Sequence, residues 1–135
     1  MRKPLQLWIV DDTEDHHHIA EATADQVGEV VVEHFYDGSA AVEAYCQRVG
    51  SGGLLPDVVL MDYFMGSERG DQTTRRLRAA EPAHHRPVII GYSSVASGSA
   101  AIVAAGGDLS LRKMVGGPIN GHLADYLRRV LATRS

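Results

Sequence analysis

The sequence contains one cysteine and one tryptophan, and no long apolar run follows a basic start. A single cysteine, Cys46, cannot form an internal disulfide, and the missing apolar run argues against a signal peptide or a membrane span. Basic residues are also scarce, because 13 Lys and Arg stand against 17 Asp and Glu and give a net charge of −4. We therefore expect a cytoplasmic protein that neither inserts into membranes nor binds nucleic acid directly.

The rest of the composition is typical of a folded domain, with 44% apolar and 22% charged residues. A chain of 135 residues suits one domain with one site. We expect that domain to span residues 1–135, with no output domain attached, because the chain ends a few residues after the last predicted helix.

Short apolar runs alternate with helical patterns along the chain. The runs lie at 5–10, 30–35, 57–61, 87–92 and 108–111, and the helical patterns lie at 13–28, 37–50, 70–80, 97–105 and from 120 onward. Because every parallel connection needs a crossover, this alternation predicts an α/β fold with a doubly wound, five-stranded parallel sheet.

Side chains that can take part in a reaction or bind a metal follow the ends of four predicted strands. These residues are Asp11 and Asp12, then Asp62, Ser93 and Lys113. In open parallel sheets the ligand site lies outside the carboxyl ends of the strands. The sequence therefore predicts that all five residues meet at one edge of the sheet.

Three carboxylates beside one lysine repel each other unless a cation lies among them. Oxygen ligands favour Mg²⁺ over Zn²⁺. A metal, a lysine and a hydroxyl donor around a carboxylate are the groups that phosphoryl transfer requires. The pattern therefore indicates Asp62 as a nucleophile that forms an aspartyl phosphate.

These segments resemble the receiver domain of two-component response regulators over essentially the whole chain. The matching motifs are residues 8–12, 58–62, 89–94 and 105–113, with Met65 and Gly70 at the family's spacing after Asp62. The resemblance implies the (βα)5 flavodoxin-like fold with strand order 2-1-3-4-5.

The resemblance also implies a role for each site residue. Asp62 accepts a phosphoryl group from a sensor histidine kinase or a histidine phosphotransfer protein, Ser93 hydrogen-bonds one phosphoryl oxygen, and Lys113 pairs with another. The implied Mg²⁺ ligands are Asp12, Asp11 through water, an oxygen of Asp62 and the backbone carbonyl of Phe64. Such a protein is not an enzyme in the usual sense, because it catalyses only its own phosphorylation and dephosphorylation, and it signals by contact with a downstream protein.

Three departures from the family pattern concern the signal. Gly66 and Met114 stand where the family usually has proline, and Ser110 replaces the family's aromatic residue three positions before the lysine. An aromatic ring therefore cannot carry the signal, and we expect the loop from Ser93 to Ser99 to move instead.

Two further departures concern hydrolysis. Phe64 and Val95 stand at positions that flank the path of hydrolytic water in the family. Neither side chain can orient water by a hydrogen bond, which predicts slow self-dephosphorylation.

Other residues have simpler interpretations. His16, His17 and His18 are consecutive and cannot converge on one ion from a helix, so they indicate a solvated helix start. We expect Cys46 to be a small buried apolar residue and 50–53 to be a flexible loop.

Two other functions stay open at this point. A phosphorylation-independent scaffold with a receiver fold is compatible with Ser110 and Met114. A phosphatase of the haloacid type also forms an aspartyl phosphate but needs an acid two residues after its nucleophile. The residue two positions after Asp62 is Phe64, which is not an acid. Asp12 is followed by Thr13 and Glu14, and this function therefore fits the sequence poorly.

Overall fold

Five parallel strands form the central sheet of the computed structural model, which describes residues 3–114 and 117–134. The sheet strands are β1 (Leu5–Val10), β2 (Val30–Phe35), β3 (Val58–Met61), β6 (Val88–Gly91) and β7 (Leu109–Ser110). Their spatial order is β2-β1-β3-β6-β7, which is 2-1-3-4-5 when the sheet strands alone are counted. This order and the parallel pairing confirm the predicted fold.

Two short strands lie outside this sheet, between β3 and the next helix. β4 (Phe64–Met65) and β5 (Glu68–Arg69) pair antiparallel as a small ribbon. Gly66 turns the ribbon with a φ of 61°, a left-handed conformation that glycine adopts without strain. The ribbon places Phe64 close to the carboxyl end of β3.

In the part of the chain that the structure describes, four helices connect the sheet strands and a fifth follows the last strand. They are α1 (Glu14–Val27), α2 (Gly38–Ser51), α3 (Gly70–Ala80), α4 (Ala96–Ala104) and α5 (Gly121–Thr133). Within the described ranges, none of them is long and apolar enough to cross a membrane. Asp37 caps α2 by accepting a hydrogen bond from the Ala40 N–H at 2.7 Å.

The side chains of β1 alternate between two apolar layers. Leu7 and Ile9 face the layer packed by α1 and α5, whereas Trp8 and Val10 face the layer packed by α2, α3 and α4. This period of two is the geometry of a strand buried on both faces. The covered faces leave the carboxyl edge of the sheet as the place where polar side chains can gather.

Two predictions about α2 are wrong. The helix continues to Ser51 and ends at Gly52, so it includes the first two residues of the predicted loop at 50–53. Cys46 is exposed, because Tyr45 and Ala41 form the buried face of the helix and the next residue turns about 100° away from it.

Candidate phosphoryl-acceptor site

Backbone hydrogen bonds hold the strand ends of the sheet in register beyond the strands themselves. The Asp11 N–H donates to the Phe35 carbonyl at 3.0 Å, and the Asp62 N–H donates to the Val10 carbonyl at 2.9 Å. These bonds fix the main chain of both aspartates at one edge of the sheet. The predicted convergence of the first and third strand ends is therefore present.

Asp11, Asp12 and Asp62 form an acidic cluster. Each offers one carboxylate oxygen, and these oxygens all lie within 4.8 Å of one another. Asp11 and Asp62 are buried, whereas Asp12 is exposed to solvent. The Thr13 N–H donates to Asp11 Oδ1 at 2.9 Å and orients that carboxylate.

Lys113 lies directly against this cluster. Its Nζ donates to Asp62 Oδ1 at 3.0 Å and to Asp11 Oδ2 at 2.6 Å, and its side chain is only 1% exposed. The ring of Tyr92 lies beneath the ammonium group, with 5.2 Å between Nζ and the ring centroid. Lys113 reaches the site even though Met114 follows it.

The environment of Asp62 makes its ionised form less stable than that of a carboxylate in water. Burial raises the pKa of Asp62 above its ordinary value, and the nearby negative charge of Asp11 raises it further, while Lys113 opposes both effects. One lysine therefore does not fully balance two buried carboxylates. A cation bound among these oxygens would favour the ionised form that a nucleophile needs.

Ser93 follows the last residue of β6, Gly91, by two positions, at the carboxyl edge of the sheet. Its Oγ accepts a hydrogen bond from the Val95 N–H at 3.1 Å, and its own N–H donates to Ser99 Oγ at 3.0 Å. A Cβ atom added to Gly98 would lie 2.9 Å from Ser93 Oγ and 2.8 Å from Tyr63 Cβ. Gly98 therefore packs between Ser93 and Tyr63, the residue that follows Asp62.

Phe64 stands in β4, two residues after Asp62, and its side chain is exposed. Its ring lies edge-on to Tyr63, with 4.8 Å between centroids. The role of its backbone carbonyl as a metal ligand stays a prediction.

The prediction of a solvated histidine run is wrong for two of its three members. His16 Nδ1 lies 3.0 Å from Asp11 Oδ2 and 3.1 Å from Lys113 Nζ, so this ring belongs to the site. Only His18 extends into solvent, where it pairs with Glu14 at 3.0 Å. The only sequence signal for His16 is its place in the first turn of α1, five residues after Asp11.

His17 is fully buried between α1 and β2. Its Nε2 lies 2.7 Å from the Asp11 carbonyl oxygen, and its Nδ1 lies 2.7 Å from His34 Nδ1. The ring also stacks on Tyr36, with 4.2 Å between centroids. His17 is buried because His34 of β2 packs against it, and the residue pattern of α1 alone does not predict this contact.

The donor set fits a hard divalent cation. Among the described residues, Asp11, Asp12 and Asp62 are the one group of three potential metal-binding side chains, and all their ligand atoms are oxygens. Mg²⁺ and Ca²⁺ prefer such ligands, whereas structural zinc sites rely on sulfur and nitrogen. A carboxylate, a lysine and a cation site at one edge can together support transfer of a phosphoryl group.

Comparison with known proteins agrees with this geometry. The family model for the response regulator receiver domain matches residues 7–116. A search of curated proteins finds no match for this chain.

Solved structures of receiver domains share the fold. A mutant receiver domain of the histidine kinase CKI1 from Arabidopsis thaliana is 24% identical, with a TM-score of 0.74 over 96% of this chain and 91% of that one. The same kinase's receiver domain complexed with Mg²⁺ and BeF3⁻ is 22% identical, with a TM-score of 0.69 over 96% and 91%. A two-component response regulator from Cytophaga hutchinsonii is 16% identical, with a TM-score of 0.76 over 97% and 96%.

Proposed function

Because the chain belongs to the response regulator receiver domain family, we propose that it accepts a phosphoryl group on Asp62. The donor would be a phosphohistidine on a sensor histidine kinase or a histidine phosphotransfer protein. The observation that carries this proposal is the position of Lys113 Nζ, 3.0 Å from Asp62 Oδ1 and within the acidic cluster.

Each site residue has one task in the transfer. An oxygen of Asp62 attacks phosphorus, the new O–P bond forms as the N–P bond to the donor imidazole breaks, and the imidazole nitrogen takes a proton from solvent. Lys113 pairs with a phosphoryl oxygen and offsets charge that develops there. The Ser93 hydroxyl already accepts from the Val95 N–H, so its proton is available for donation to another phosphoryl oxygen.

Mg²⁺ is the cation that the oxygen ligands support best. Asp11, Asp12 and Asp62 would hold it, together with the Phe64 carbonyl. When bound, the ion supplies positive charge to the phosphoryl oxygens. Lys113 and the ion therefore share the work of balancing the three carboxylates.

The phosphorylated protein would signal through contact with a downstream protein. A cavity of about 280 Å³ lies beside Ser93, between the start of α4 and the strand end at Ser110. Ser110 is small, so the cavity leaves room for the loop from Ser93 to Ser99 to move toward a phosphoryl group. This movement would replace the aromatic switch that Ser110 cannot provide.

We propose that residues 1–135 form one receiver domain in the cytoplasm; residues 1, 2, 115, 116 and 135 lie outside the described ranges. Both the single-domain organisation and the location remain predictions. The alternative is a phosphorylation-independent scaffold, which Ser110 and Met114 favour because they replace residues of the family pattern.

Intact mass after incubation with phosphoramidate and Mg²⁺ tests the proposal. We expect one added phosphoryl group in the wild-type protein and none without Mg²⁺ or in the Asp62→Asn variant. No addition to folded wild-type protein, with several small phosphodonors, would overturn the proposal and favour the scaffold.

A further inference from the structure

Asn120 joins α1 to the start of α5 at a fully buried point. As the N-cap of α5, its Oδ1 accepts hydrogen bonds from the N–H groups of His122 and Leu123 at 3.0 and 3.2 Å. Its backbone N–H donates to Thr23 Oγ1 at 2.9 Å. These contacts use the backbone N–H and the side-chain oxygen of Asn120, and the two hydrogens of its side-chain amide bond elsewhere.

Both amide hydrogens are used next to Lys113. Asn120 Nδ2 donates to the Arg112 carbonyl at 2.9 Å and to the Tyr92 hydroxyl at 2.9 Å. Arg112 immediately precedes Lys113, and the Tyr92 ring lies beneath its ammonium group. The amide of Asn120 therefore fixes both the main chain before Lys113 and the ring on which the lysine rests.

We propose that Asn120 is a positioning residue that holds Lys113 against Asp62 and Asp11. Lysine carries a flexible stem of four methylene groups, so its ammonium keeps one place only if the backbone and the packing around it are fixed. A proline after the lysine would fix the φ of its own position, and Met114 provides no such restraint. The amide of Asn120 provides a restraint from the other side of the lysine.

This inference deepens the proposed function and rests on it for the role of Lys113 in transfer. Lys113 also occupies oxygens of Asp11 and Asp62 that a cation would use. Loss of the restraint should therefore have two opposite effects. Phosphorylation slows because the lysine is misplaced, while Mg²⁺ binds more tightly because the lysine competes less for the carboxylates.

Two variants separate the amide from the helix cap. Asn120→Asp keeps an oxygen that can accept from the first turn of α5 and removes both amide hydrogens. Asn120→Ser also keeps a capping oxygen, adds no charge, and is too short to reach the Arg112 carbonyl. Tyr45→Phe is the matched control, because it removes a buried hydroxyl that bonds His85 at 3.0 Å in the other apolar layer.

The experiment measures the phosphorylation rate with phosphoramidate and the dissociation constant of Mg²⁺ by calorimetry. We expect both Asn120 variants to slow phosphorylation by up to about a hundredfold, the loss that a misplacement of about 1 Å can cause in a catalytic group. We expect Asn120→Ser to bind Mg²⁺ more tightly than the wild type, and Tyr45→Phe to change neither quantity. General structural damage would instead slow the reaction and weaken Mg²⁺ binding together.

A Lys113→Ala background completes the test as a double-mutant cycle. There, Asn120→Ser should change neither the residual rate nor the affinity for Mg²⁺. Equal effects of Asn120→Ser with and without Lys113, or unchanged Mg²⁺ affinity in the presence of Lys113, would overturn the positioning role. Wild-type protein that gains no phosphoryl group would refute the proposed function separately, and the Mg²⁺ titrations would still decide whether Asn120 positions Lys113.

Discussion

A Cβ atom on Gly70 would lie 2.0 Å from the backbone carbonyl oxygen of Asp62. The absence of a side chain thus lets α3 begin directly against the aspartate that follows β3. The Gly70 N–H also donates to the Tyr63 carbonyl at 2.8 Å, which ties the helix start to the same loop. The spacing of eight residues between Asp62 and Gly70 is therefore a packing requirement of the site.

Gly70→Ala should destabilise the fold and displace Asp62. The added methyl group meets backbone atoms that cannot rotate away, and such overpacking costs about 1–3 kcal/mol. Chemical unfolding measures the loss, and intact mass measures the accompanying decrease in phosphorylation. Gly50→Ala is the control, because its Cβ would meet nothing within 4 Å and it lies in α2. That variant should be as stable as the wild type or more stable, and equal stability of both variants would contradict this account.

Phe64→Asn should shorten the lifetime of the phosphorylated protein severalfold. The side chain of Phe64 is 60% exposed two residues after Asp62, where an amide can orient water for attack on the phosphoryl group. Decay of the added mass after removal of the phosphodonor gives the rate. Leu54→Asn replaces another exposed apolar residue, in the loop before β3, and should leave the rate unchanged. If Phe64→Asn loses phosphate at the wild-type rate, the proposed effect of Phe64 on hydrolysis is wrong.

Stability should fall as pH decreases below about 6.5 because of His17. Burial lowers the pKa of His17 below its ordinary value of 6.5, and the hydrogen bond to the Asp11 backbone and the ring of His34 act on it as well. The unfolded chain then binds more protons than the folded chain, so protonation favours unfolding. The loss begins as pH falls through 6.5, approaches about 1.4 kcal/mol per pH unit between the unfolded and the lower folded pKa, and levels off below the folded pKa.

The His17→Gln variant isolates this contribution, because glutamine keeps an amide that can donate to the Asp11 carbonyl but does not titrate. Unfolding free energies of both proteins at several pH values between neutral and mildly acidic give the comparison. The wild type should lose more stability than the variant over that range. Parallel curves for the two proteins would show that His17 carries no such penalty.

Phosphorylation should shift the backbone amide resonances of the segment from Ser93 to Ser110. Ser93 would turn toward the phosphoryl group, release the Val95 N–H, and change the cavity that Ser110 borders. Amides of the Gly38–Ser51 helix, which packs on the other side of the sheet from α5, serve as the internal reference. Unchanged resonances over 93–110 in fully phosphorylated protein would contradict this route for the signal.

The sequence predicts the main features of the site because the carboxyl ends of parallel strands meet. Asp11, Asp62 and Lys113 each follow a short apolar run, and the topology alone brings them together. Asn120 was recognisable from the sequence only as the start of the last helix. Its amide contacts depend on how α5 packs near β6 and β7, which hydrophobic periodicity does not specify.

The wrong predictions for the exposure of His17 and Cys46 have the same physical cause. His17 looks solvated beside two other histidines, yet its ring is covered by His34 of β2 and by Tyr36, which directly follows that strand. Cys46 lies among apolar residues of α2 but points away from the sheet. In both cases a rotation about the helix axis decides burial, and only packing against the sheet fixes that rotation.

The position of the phosphoryl group tests the central claim most directly. Borohydride reduction of the phosphorylated protein converts an aspartyl phosphate to homoserine, and peptide sequencing by mass spectrometry then locates the change. The account predicts reduction at Asp62 alone, and none in protein incubated without Mg²⁺ or without phosphodonor. A phosphoryl group on another side chain, with Asp62 unmodified, would contradict it.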